Sequence, residues 1–335
     1  MPEPTSPVSV DALAAAVRAS VPGARDANLS IEEITRHTNL NFVYRVVMPE
    51  QTLFVKAIPA RLKRFGVPLP QSRIHDEATA MRLFGDTCGG TVVVPEVLFV
   101  HEPLFLLGMT DVSAGRVVVA DASDDDRTLA GAAPALGAAL ARVHSRTRGG
   151  PNFRSPALDA TIRQTIFGYL VVPPAELGEA RDVAVKLMAD VRDRAECLVH
   201  GDLWPKNLLV GDTVAPAIID FEGALTGDPA FDLATIGAAS LWSVLESPSS
   251  LPRHVDAIVR FFAAYREHAV DPAWADAASA RALRLMGVFT SVRAFGPTAF
   301  PLSDAARLRA GNIARRLIAD PPALHDYATW IVEAI

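Results

Sequence analysis

The sequence predicts an α+β protein with a small lobe built on an antiparallel sheet and a larger, mainly helical lobe. The chain has 335 residues, 50 % of them apolar, which is enough to fill two separate cores. Short segments rich in β-branched and aromatic residues come first, whereas helical periodicity dominates the remainder, with proline near the start of many segments. We therefore expect an N-terminal lobe over residues 1–110, a hinge over 111–114 and a C-terminal lobe over 115–335.

The small lobe is predicted to carry one helix packed on a sheet of short strands. An alanine-rich helix over residues 11–20 comes first, and the packed helix spans residues 72–84, where apolar residues recur at helical spacing. The strands are predicted over residues 31–34, 42–48, 52–58, 92–100 and 104–109. Three short strands in immediate succession favour antiparallel pairing.

The large lobe is predicted to be mainly helical. Its helices are expected over residues 127–146, 156–170, 174–196, 229–245, 252–268, 274–295, 303–319 and 323–335. Two apolar, strand-like pieces at residues 208–210 and 217–219 interrupt this pattern, and both border a polar motif.

The bulk properties exclude several classes of partner. The formal net charge of −6 arises from 32 basic and 38 acidic residues, without a basic patch of the kind that binds nucleic acid. The N-terminus lacks a basic start followed by a long apolar run, and the apolar stretch at residues 91–109 is broken by prolines and charges. We therefore expect a cytoplasmic protein without nucleic-acid or membrane partners, either a monomer or a homodimer. Cys88 and Cys197 support neither a disulfide framework nor a zinc site.

The most informative stretch is the motif His-Gly-Asp-Leu-Trp-Pro-Lys-Asn at residues 200–207, which is followed by a strand ending in Asp-Phe-Glu. Asp202 is placed to accept the proton of an attacking hydroxyl, while Asn207 and Asp220 are placed to hold Mg²⁺ against the phosphates of ATP. Glu222 shares one side of the extended segment with Asp220, so it is a second carboxylate for the metal. This spacing predicts a kinase that phosphorylates a hydroxyl of a small molecule.

The alternative interpretation is that these are ordinary polar residues in turns at strand ends. The later Gly-Asp-Pro-Ala-Phe-Asp at residues 227–232 argues against coincidence. His200 and Asp232 are interpreted as structural supports that order the loop by hydrogen bonding. Lys206 is left open between a contact with the γ-phosphate and exposure to solvent, and Trp204 is interpreted as a packing residue.

One of only four lysines, Lys56, lies in a strand that is otherwise apolar on both sides, where an unpaired ammonium would be costly. We expect an ion pair with Glu77 on the following helix, which would orient Lys56 toward the α- and β-phosphates. The alternative is an edge-strand lysine in water and a solvated glutamate. The turn at residues 37–41 is a candidate cover for the phosphates through Thr38 and Asn39, although it contains no glycine.

Together these motifs resemble the aminoglycoside phosphotransferase and choline kinase group, which has a protein-kinase-like bilobal fold. The segments HGDLWPKNLLV and IDFEGALTGDPAFDLA carry the resemblance. It implies ATP and Mg²⁺ as cofactors, with Lys56 and Glu77 as the pair that orients the nucleotide. It further implies Asp202 as the catalytic aspartate and Asp220 and Glu222 as metal ligands.

Within that group the small lobe looks most like 5-methylthioribose kinase. The similarity runs through Asn-Leu-Asn-Phe-Val-Tyr-Arg at residues 39–45, Val-Lys-Ala-Ile-Pro at 55–59, Arg-Phe-Gly-Val-Pro at 64–68, Asp-Glu-Ala at 76–78, Pro-Glu-Val at 95–97 and Leu-Leu-Gly-Met at 106–109. It implies a 5-substituted ribose that is phosphorylated at its anomeric hydroxyl. Met109 and Asp111, at the end of this similarity, are expected nucleotide contacts.

The chain departs from 5-methylthioribose kinases at positions that bear on the substrate. Trp204 stands where those enzymes usually have histidine, Asn207 replaces a small residue, and Phe221 replaces a proline. Their paired arginine near the C-terminal helices is matched at most by Arg284. The motif at residues 200–207, which we call the catalytic loop, is closer to the pattern of antibiotic kinases. Trp204 and Arg284 are therefore the candidate substrate residues.

Two alternatives to a ribose kinase stay open. An aminoglycoside or macrolide phosphotransferase would favour an acidic surface for a cationic acceptor, but from Leu225 onward 11 Asp and Glu stand against 10 Arg and no Lys. This balance favours a neutral, hydroxyl-rich acceptor. A non-catalytic nucleotide-binding protein of the same fold would lack at least one predicted site residue. Arg281 and Arg293, like Arg284, are candidates either for substrate binding or for surface ion pairs.

Overall fold

The structure is a computed structural model of the chain. It describes residues 6–36, 38, 40–63, 66, 68–121, 129–154, 156–165, 167, 171–296 and 299–335. The chain divides into two compact units, of which the first comprises Met1–Gly85 with Val94–Ala114 and the second comprises Asp86–Val93 with Gly115–Ile335.

The predicted lobe boundary differs from these units at residues 86–93. We expected this segment in the N-terminal lobe, but it belongs to the second unit, because the backbone of Val93 pairs with that of Pro216 (2.8 Å) and Ile218 (2.9 Å). Residues 111–114 follow the last strand of the first unit, and their role as a hinge stays a prediction.

The first unit contains a five-stranded antiparallel sheet. Its elements are α1 (Val10–Ser20), β1 (Ser30–Ile34), β2 (Phe42–Val47), β3 (Thr52–Ala57), α2 (Arg73–Thr87), β4 (Val97–His101) and β5 (Leu106–Thr110). The strand order is β1-β2-β3-β5-β4, so β3 is the central strand. Lys56 in β3 is paired in register with Val43 on one side and Leu107 on the other. The small antiparallel sheet of the sequence analysis is therefore present.

The core of the first unit lies between α1 and the sheet. Alternate residues of β2, namely Phe42, Tyr44 and Val46, are buried, because successive side chains of a strand point to opposite faces. Leu13 and Val17 of α1 join the same cluster, since residues four apart share one face of a helix. The alternate residues of the strand and the residues four apart in the helix thus pack in one core.

The second unit is mainly helical. Its elements are β6 (Val117–Val118), α3 (Leu129–Thr147), α4 (Pro156–Thr165), α5 (Ala180–Asp193), β7 (Cys197–Val199), β8 (Leu208–Val210), β9 (Ala217–Ile218), β10 (Leu225–Gly227), α6 (Ala230–Glu246), α7 (Leu251–His268), α8 (Pro272–Phe295), α9 (Asp304–Ala319) and α10 (Tyr327–Ala334). Helix α3 packs along α7, and α8 packs against both α6 and α9. In the described residues, no helix has both the length and the apolar character needed to cross a membrane.

Four short strands of the second unit frame the polar motifs. β7 ends at Val199 and β8 begins at Leu208, so residues 200–207 are the connection between them. β9 ends at Ile218 and β10 begins at Leu225, which makes the Asp-Phe-Glu segment a second connection. β7 pairs with β10 and β8 pairs with β9, both antiparallel. The pairing of the strands brings the two polar loops together within one unit.

Several predicted elements differ in their extent. The strand expected over 92–100 begins only at Val97, because Val93 is committed to a parallel bridge with Ala217. The helix expected over 174–196 is a short 3₁₀ turn over Ala175–Leu177 followed by α5, which ends at Asp193 before β7 begins at Cys197. β6, β7 and β10 were not predicted, whereas the equally short β8 and β9 were.

Two further helices are compared with their expected bounds in the described residues. The helix expected over 156–170 is described from Pro156 to Thr165, and the expected positions 166 and 168–170 lie outside the described residues, as do residues 127 and 128 of the helix before. The last helix begins at Tyr327 rather than at 323, because a 3₁₀ turn over Leu324–Asp326 precedes it.

The buried imidazole of His254 gives the fold a pH dependence. Its Nδ1 lies 3.0 Å from the hydroxyl of Ser240 in α6, and its Nε2 lies 2.8 Å from the hydroxyl of Tyr327 in α10. Burial lowers the pKa of His254 from 6.5 to about 4. The unfolded chain binds a proton near pH 6.5 and the folded chain does not, so stability that is present above pH 6.5 is lost as the pH falls toward 4.

We expect the His254→Gln variant to lose less stability on acidification than the native chain. Between pH 7 and pH 4 the free energy of unfolding of the native chain should fall by roughly 3 kcal/mol more than that of the variant, because the variant has no imidazole at this position to protonate on unfolding. Urea unfolding at a series of pH values measures this. His325→Gln, at an imidazole that is 82 % exposed, is the matched control and should keep the native pH dependence. If His254→Gln left the pH dependence of the free energy of unfolding unchanged, the effect assigned to His254 would be contradicted.

Candidate active site

The loop at residues 200–207 is held by the carboxylate of Asp232. This side chain lies in the first turn of α6 and is fully buried. Its Oδ2 accepts a hydrogen bond from the backbone N–H of His200 (2.8 Å), and its Oδ1 accepts one from the N–H of Gly201 (2.9 Å). Because each oxygen of the carboxylate binds a different residue, the start of the loop is fixed in direction as well as in position.

A third group that contacts Asp232 was missed in the sequence analysis. The Nε2 of His144 in α3 lies 3.3 Å from Oδ2 of Asp232, and its Nδ1 lies 3.1 Å from the hydroxyl of Tyr265 in α7. Both His144 and Tyr265 are fully buried. The only sequence signal was a lone histidine in an Ala- and Leu-rich helix, which does not identify its partner. The loop is therefore tied to the helical core through three side chains.

His200 joins the two polar loops. Its Nε2 donates to the carbonyl of Ile219 (3.0 Å), its Nδ1 accepts from the N–H of Asp202 (3.2 Å), and its ring contacts that of Phe221 at 4.6 Å between centroids. Burial lowers the pKa of His200 below its usual value, although the surrounding carboxylates oppose this shift. The ring is therefore neutral, with its proton on Nε2, and these contacts order the loop.

Gly201 allows the two loops to approach closely. It has a φ of 76°, in the left-handed region, and a Cβ at this position would collide with the carbonyl oxygen of Gly223. A Cβ added at Gly223 would in turn lie 3.4 Å from Cβ of Asp202. The side chain of Asp202 therefore leaves the backbone next to the Asp-Phe-Glu segment.

Two residues of the motif contact the carboxylate of Asp202. The side-chain amide of Asn207 donates to the backbone carbonyl of Asp202 (2.7 Å) and to its Oδ2 (2.9 Å). The ammonium of Lys206 lies 2.7 Å from the same Oδ2. Because Asn207 uses its NH₂ group in these contacts, its Oδ1 is the atom chemically suited to bind a cation.

Lys206 lies among carboxylates rather than in open solvent. Its side chain is 25 % exposed. Burial lowers the pKa of Lys206, but the charges of Asp202, Asp220 and Glu222 outweigh it and raise the pKa above its usual value. The ammonium is therefore charged at neutral pH and partly compensates the acidic loops. This position removes the solvent-exposed alternative, whereas a contact with the γ-phosphate stays a prediction.

Asp220 has an unusual backbone conformation. It follows β9 and precedes a 3₁₀ turn over Phe221–Gly223, and its φ and ψ are 69° and 71°, in the left-handed region. Aspartate is one of the few residues with a side chain that adopts this conformation at modest cost. This backbone orients Asp220 in a direction that an extended segment would not give, so the expectation that Asp220 and Glu222 share one side of an extended segment is wrong.

The donor set of the two loops has the chemistry that Mg²⁺ prefers. Asp220 and Glu222 supply carboxylate oxygens, and Asn207 supplies an amide oxygen. In the part of the chain that the structure describes, no three His, Cys, Asp or Glu side chains are grouped to hold a metal by themselves. Mg²⁺ commonly uses one or two carboxylates and completes its shell with phosphate and water oxygens, so the residues fit such an ion.

The predicted ion pair of the first unit is present. The Nζ of Lys56 in β3 lies 2.5 Å from Oε1 of Glu77 in α2, and the two residues are only 6 % and 3 % exposed. The alternative of a solvated lysine on an edge strand is therefore wrong, because β3 is central and both charges are buried. The role of this pair in orienting a nucleotide stays a prediction.

The other predicted nucleotide contacts have local explanations. The hydroxyl of Thr38 lies 3.0 Å from the carbonyl of Ile34, so it orders the turn. Met109 is buried in β5, and Oδ1 of Asp111 accepts from the N–H of Ser113 (2.7 Å). Asn39 lies outside the described residues. For all four residues, nucleotide binding stays a prediction.

The three candidate arginines of α8 differ in their contacts, and substrate binding by Arg284 stays a prediction. Arg284 donates to the carbonyl of Ile318 (3.1 Å) at the end of α9, where a cation stabilises the unpaired carbonyls of a helix terminus. Arg281 forms a two-point ion pair with Asp228, at 2.8 and 2.9 Å. The arginine beside the catalytic loop is Arg293, whose guanidinium carbon lies 4.2 Å from the ring centre of Trp204.

The fold and the polar loops define a phosphotransferase with a protein-kinase-like architecture. A family model described as the phosphotransferase enzyme family matches residues 36–278, which include both the Lys56–Glu77 pair and the motifs of the second unit. The chain belongs to this family, and it is an enzyme with an alcohol group as phosphoryl acceptor. The family predicted from the motifs is thus confirmed.

Solved structures agree with the predicted fold class. A choline/ethanolamine kinase family protein from Mesorhizobium loti is 17 % identical, with 95 % of this chain and 97 % of that chain covered and a TM-score of 0.52. The amicoumacin kinase hAmiN, in complex with AMP-PNP, Ca²⁺ and Ami, is 16 % identical, with 88 % and 91 % covered and a TM-score of 0.50. At these identities the likeness shows the fold. A sequence search of curated proteins found no match.

We expect Gly201→Ala to reduce both stability and turnover. The left-handed conformation alone costs an alanine about 1–2 kcal/mol, and the collision with the carbonyl of Gly223 should add roughly another 1–3 kcal/mol. Gly90→Ala is the matched control, since Gly90 has a φ of 75° with open space around its Cβ position. Gly201→Ala should lose more stability in urea unfolding, and more turnover, than Gly90→Ala. Equal losses would contradict the close approach of the loops.

Proposed function

We propose that this phosphotransferase moves the γ-phosphoryl group of ATP to a hydroxyl of a small molecule, with Asp202 as the general base. The observation that carries the proposal is the environment of the Asp202 carboxylate. Asn207 and Lys206 both contact its Oδ2, and the loop that bears it is fixed to Asp232. A carboxylate held in this way presents its other oxygen in a constant direction, which the in-line attack of a hydroxyl requires.

Asp202 takes the proton of the acceptor hydroxyl as that oxygen attacks the γ-phosphorus, and the bond from the γ-phosphorus to the bridging oxygen of the β-phosphate breaks, so that ADP leaves. The ammonium of Lys206 compensates the charge of Asp202 before substrate binds. Its flexible stem allows it to move toward the phosphoryl oxygens, where negative charge accumulates during transfer. His200 does not exchange a proton in this scheme, because its ring is neutral and both nitrogens are used in holding the loops.

Asp220, with Asn207 and Glu222, would hold the divalent ion. Mg²⁺ supplies neutralisation of the phosphate charge and keeps the phosphates in line with the acceptor. The solved complex of hAmiN with AMP-PNP and Ca²⁺ supports a nucleotide and a divalent ion as ligands of this fold. In the first unit, Lys56 would contact the α- and β-phosphates, positioned by Glu77. Thr38, Asn39, Met109 and Asp111 are the further nucleotide contacts that we propose.

For the acceptor we propose a 5-substituted ribose. The similarity of the small-lobe segments to 5-methylthioribose kinase supports it, as does the near balance of 11 acidic and 10 basic residues from Leu225 onward. An aminoglycoside or macrolide phosphotransferase is the second candidate, favoured by the catalytic loop. A non-catalytic nucleotide-binding protein is disfavoured, because all the predicted catalytic side chains are retained. We propose a cytoplasmic enzyme, monomeric or homodimeric, that needs no nucleic acid or membrane.

The function is tested with purified protein, Mg²⁺ and ATP in the presence of single acceptors. Methylthioribose, other 5-substituted riboses, aminoglycosides and macrolides form the panel, and ADP release measures turnover. We expect turnover with a 5-substituted ribose. Preference for an antibiotic would reassign the acceptor, whereas nucleotide binding without turnover on any acceptor would overturn the enzymatic proposal.

Two substitutions separate the proposed roles within the loops. Asp202→Asn should lower turnover by about 10²–10⁴-fold while ATP affinity changes little, because the contact of Asp202 is with the acceptor hydroxyl. Asp220→Ala should weaken binding of Mg·ATP and turnover together, because its contact is with the metal. Calorimetric titration with AMP-PNP and steady-state kinetics measure both effects. Loss of nucleotide binding in Asp202→Asn would rule out the role assigned to that residue.

A further inference from the structure

An aromatic surface begins at the catalytic loop. Trp204 is two residues from Asp202, and its backbone N–H donates to the carbonyl of Asp202 (2.9 Å). Its ring contacts Phe289 of α8 at 5.9 Å between centroids. Trp204 is only partly buried, whereas Phe289 is fully buried and fixes the position of the indole from behind. One flat apolar face is thus anchored next to the proposed general base.

Phe300 extends this surface on the other side of Arg293. The chain reverses after α8, and the N–H of Phe300 donates to the carbonyl of Arg293 (2.9 Å), which brings the two side chains together. The ring of Phe300 is supported by Trp242 of α6, at 5.2 Å in an edge-to-face arrangement. Phe300 is 43 % exposed, so its outer face is open to solvent. We call Trp204, Phe289, Phe300 and Trp242 the aromatic wall.

A single cation is set into this wall. The guanidinium carbon of Arg293 lies 4.2 Å from the ring centre of Trp204 and 5.0 Å from that of Phe300. Such stacking on two rings holds the planar group in one orientation. Burial lowers the pKa of Arg293, while the charge of Asp202 opposes this, which indicates that the guanidinium lies within the electrostatic field of that carboxylate. Arginine nevertheless keeps its charge at neutral pH.

The fixed charge decides which acceptors this surface tolerates. When the carboxylates of Asp202, Asp220 and Glu222 are paired with Lys206 and the divalent ion, an ammonium group roughly 5 Å from the guanidinium, at an effective dielectric constant of about 20, binds about 100-fold more weakly. An apolar ring or alkyl group avoids this repulsion and gains contact with the rings of the wall. Hydroxyl, carbonyl or carboxylate oxygens, in contrast, can accept hydrogen bonds from Arg293.

We propose that the aromatic wall and Arg293 form the acceptor subsite, and that it takes an alcohol with an apolar ring or chain and without an ammonium group. This inference rests on the proposed function, because it assumes that Asp202 receives the hydroxyl of the same molecule. Arg293 is then the specificity-determining residue that excludes polyamine acceptors. Trp204 lines the subsite beside Asp202, and the exposed side of the Phe300 ring contacts the apolar part of the acceptor.

The test uses a pair of acceptors that differ in charge. 5-Phenylthioribose and 5-(2-aminoethylthio)ribose share the sugar and the thioether, but only the second carries an ammonium. We expect the native enzyme to prefer the phenylthio compound by about 100-fold in kcat/KM. Arg293→Gln should reduce this preference to below about tenfold, and Arg293→Glu should reduce it further or reverse it. Arg316→Gln, at a guanidinium that lies 4.9 Å from the ring centre of Trp330, is the matched control and should keep the native preference.

Binding without turnover completes the test. With AMP-PNP and Mg²⁺ present, the phenylthio compound should quench the fluorescence of the native protein, and Trp204→Leu should lose that component. If nucleotide binds but the ammonium compound is bound or turned over equally well, this inference is overturned and the proposed function is not. If the phenylthio compound causes no quenching, the subsite is wrong. If AMP-PNP itself does not bind, the proposed function fails first.

Discussion

The structure of the second unit depends on one buried carboxylate, that of Asp232. It accepts hydrogen bonds from two consecutive backbone N–H groups of the catalytic loop and contacts the imidazole of His144. A buried charge without such partners would be strongly destabilising, so the carboxylate and the loop need each other. Because α6, α3 and α7 all contribute to this cluster, the position of Asp202 is set by the packing of the helical core.

The two polar loops are organised by opposite means. The catalytic loop is held by hydrogen bonds from outside it, and its own side chains converge on Asp202. The Asp-Phe-Glu loop is directed by its backbone, since Asp220 adopts a left-handed conformation and Phe221 packs against the ring of His200. Gly201 lets the loops come into contact where any side chain would keep them apart. Charge is then concentrated in a small volume, with Lys206 as its counter-ion.

The sequence predicted the parts of the site that depend on local spacing or on a local energetic conflict. Asp202 and Asn207 follow from a motif, and the pairing of Lys56 with Glu77 follows from the cost of an ammonium in an apolar strand. His144 was not singled out, and Arg293 was left open between substrate binding and a surface ion pair, because their partners lie 88 and 89 positions away in the chain and nothing in the local pattern identifies them. Of the strands that frame the loops, β8 and β9 were predicted, whereas β7 and β10 were missed.

The left-handed backbone of Asp220 narrows what evolution can place there. Glycine and asparagine also tolerate this conformation, but glycine offers no side-chain ligand and asparagine offers no negative charge. Glutamate keeps the charge but fits the backbone less well and reaches further. Where one position requires a left-handed backbone, a short side chain and a negative charge, aspartate is the amino acid that meets all three requirements. If Asp220 holds the metal as we propose, almost no substitution at this position is neutral.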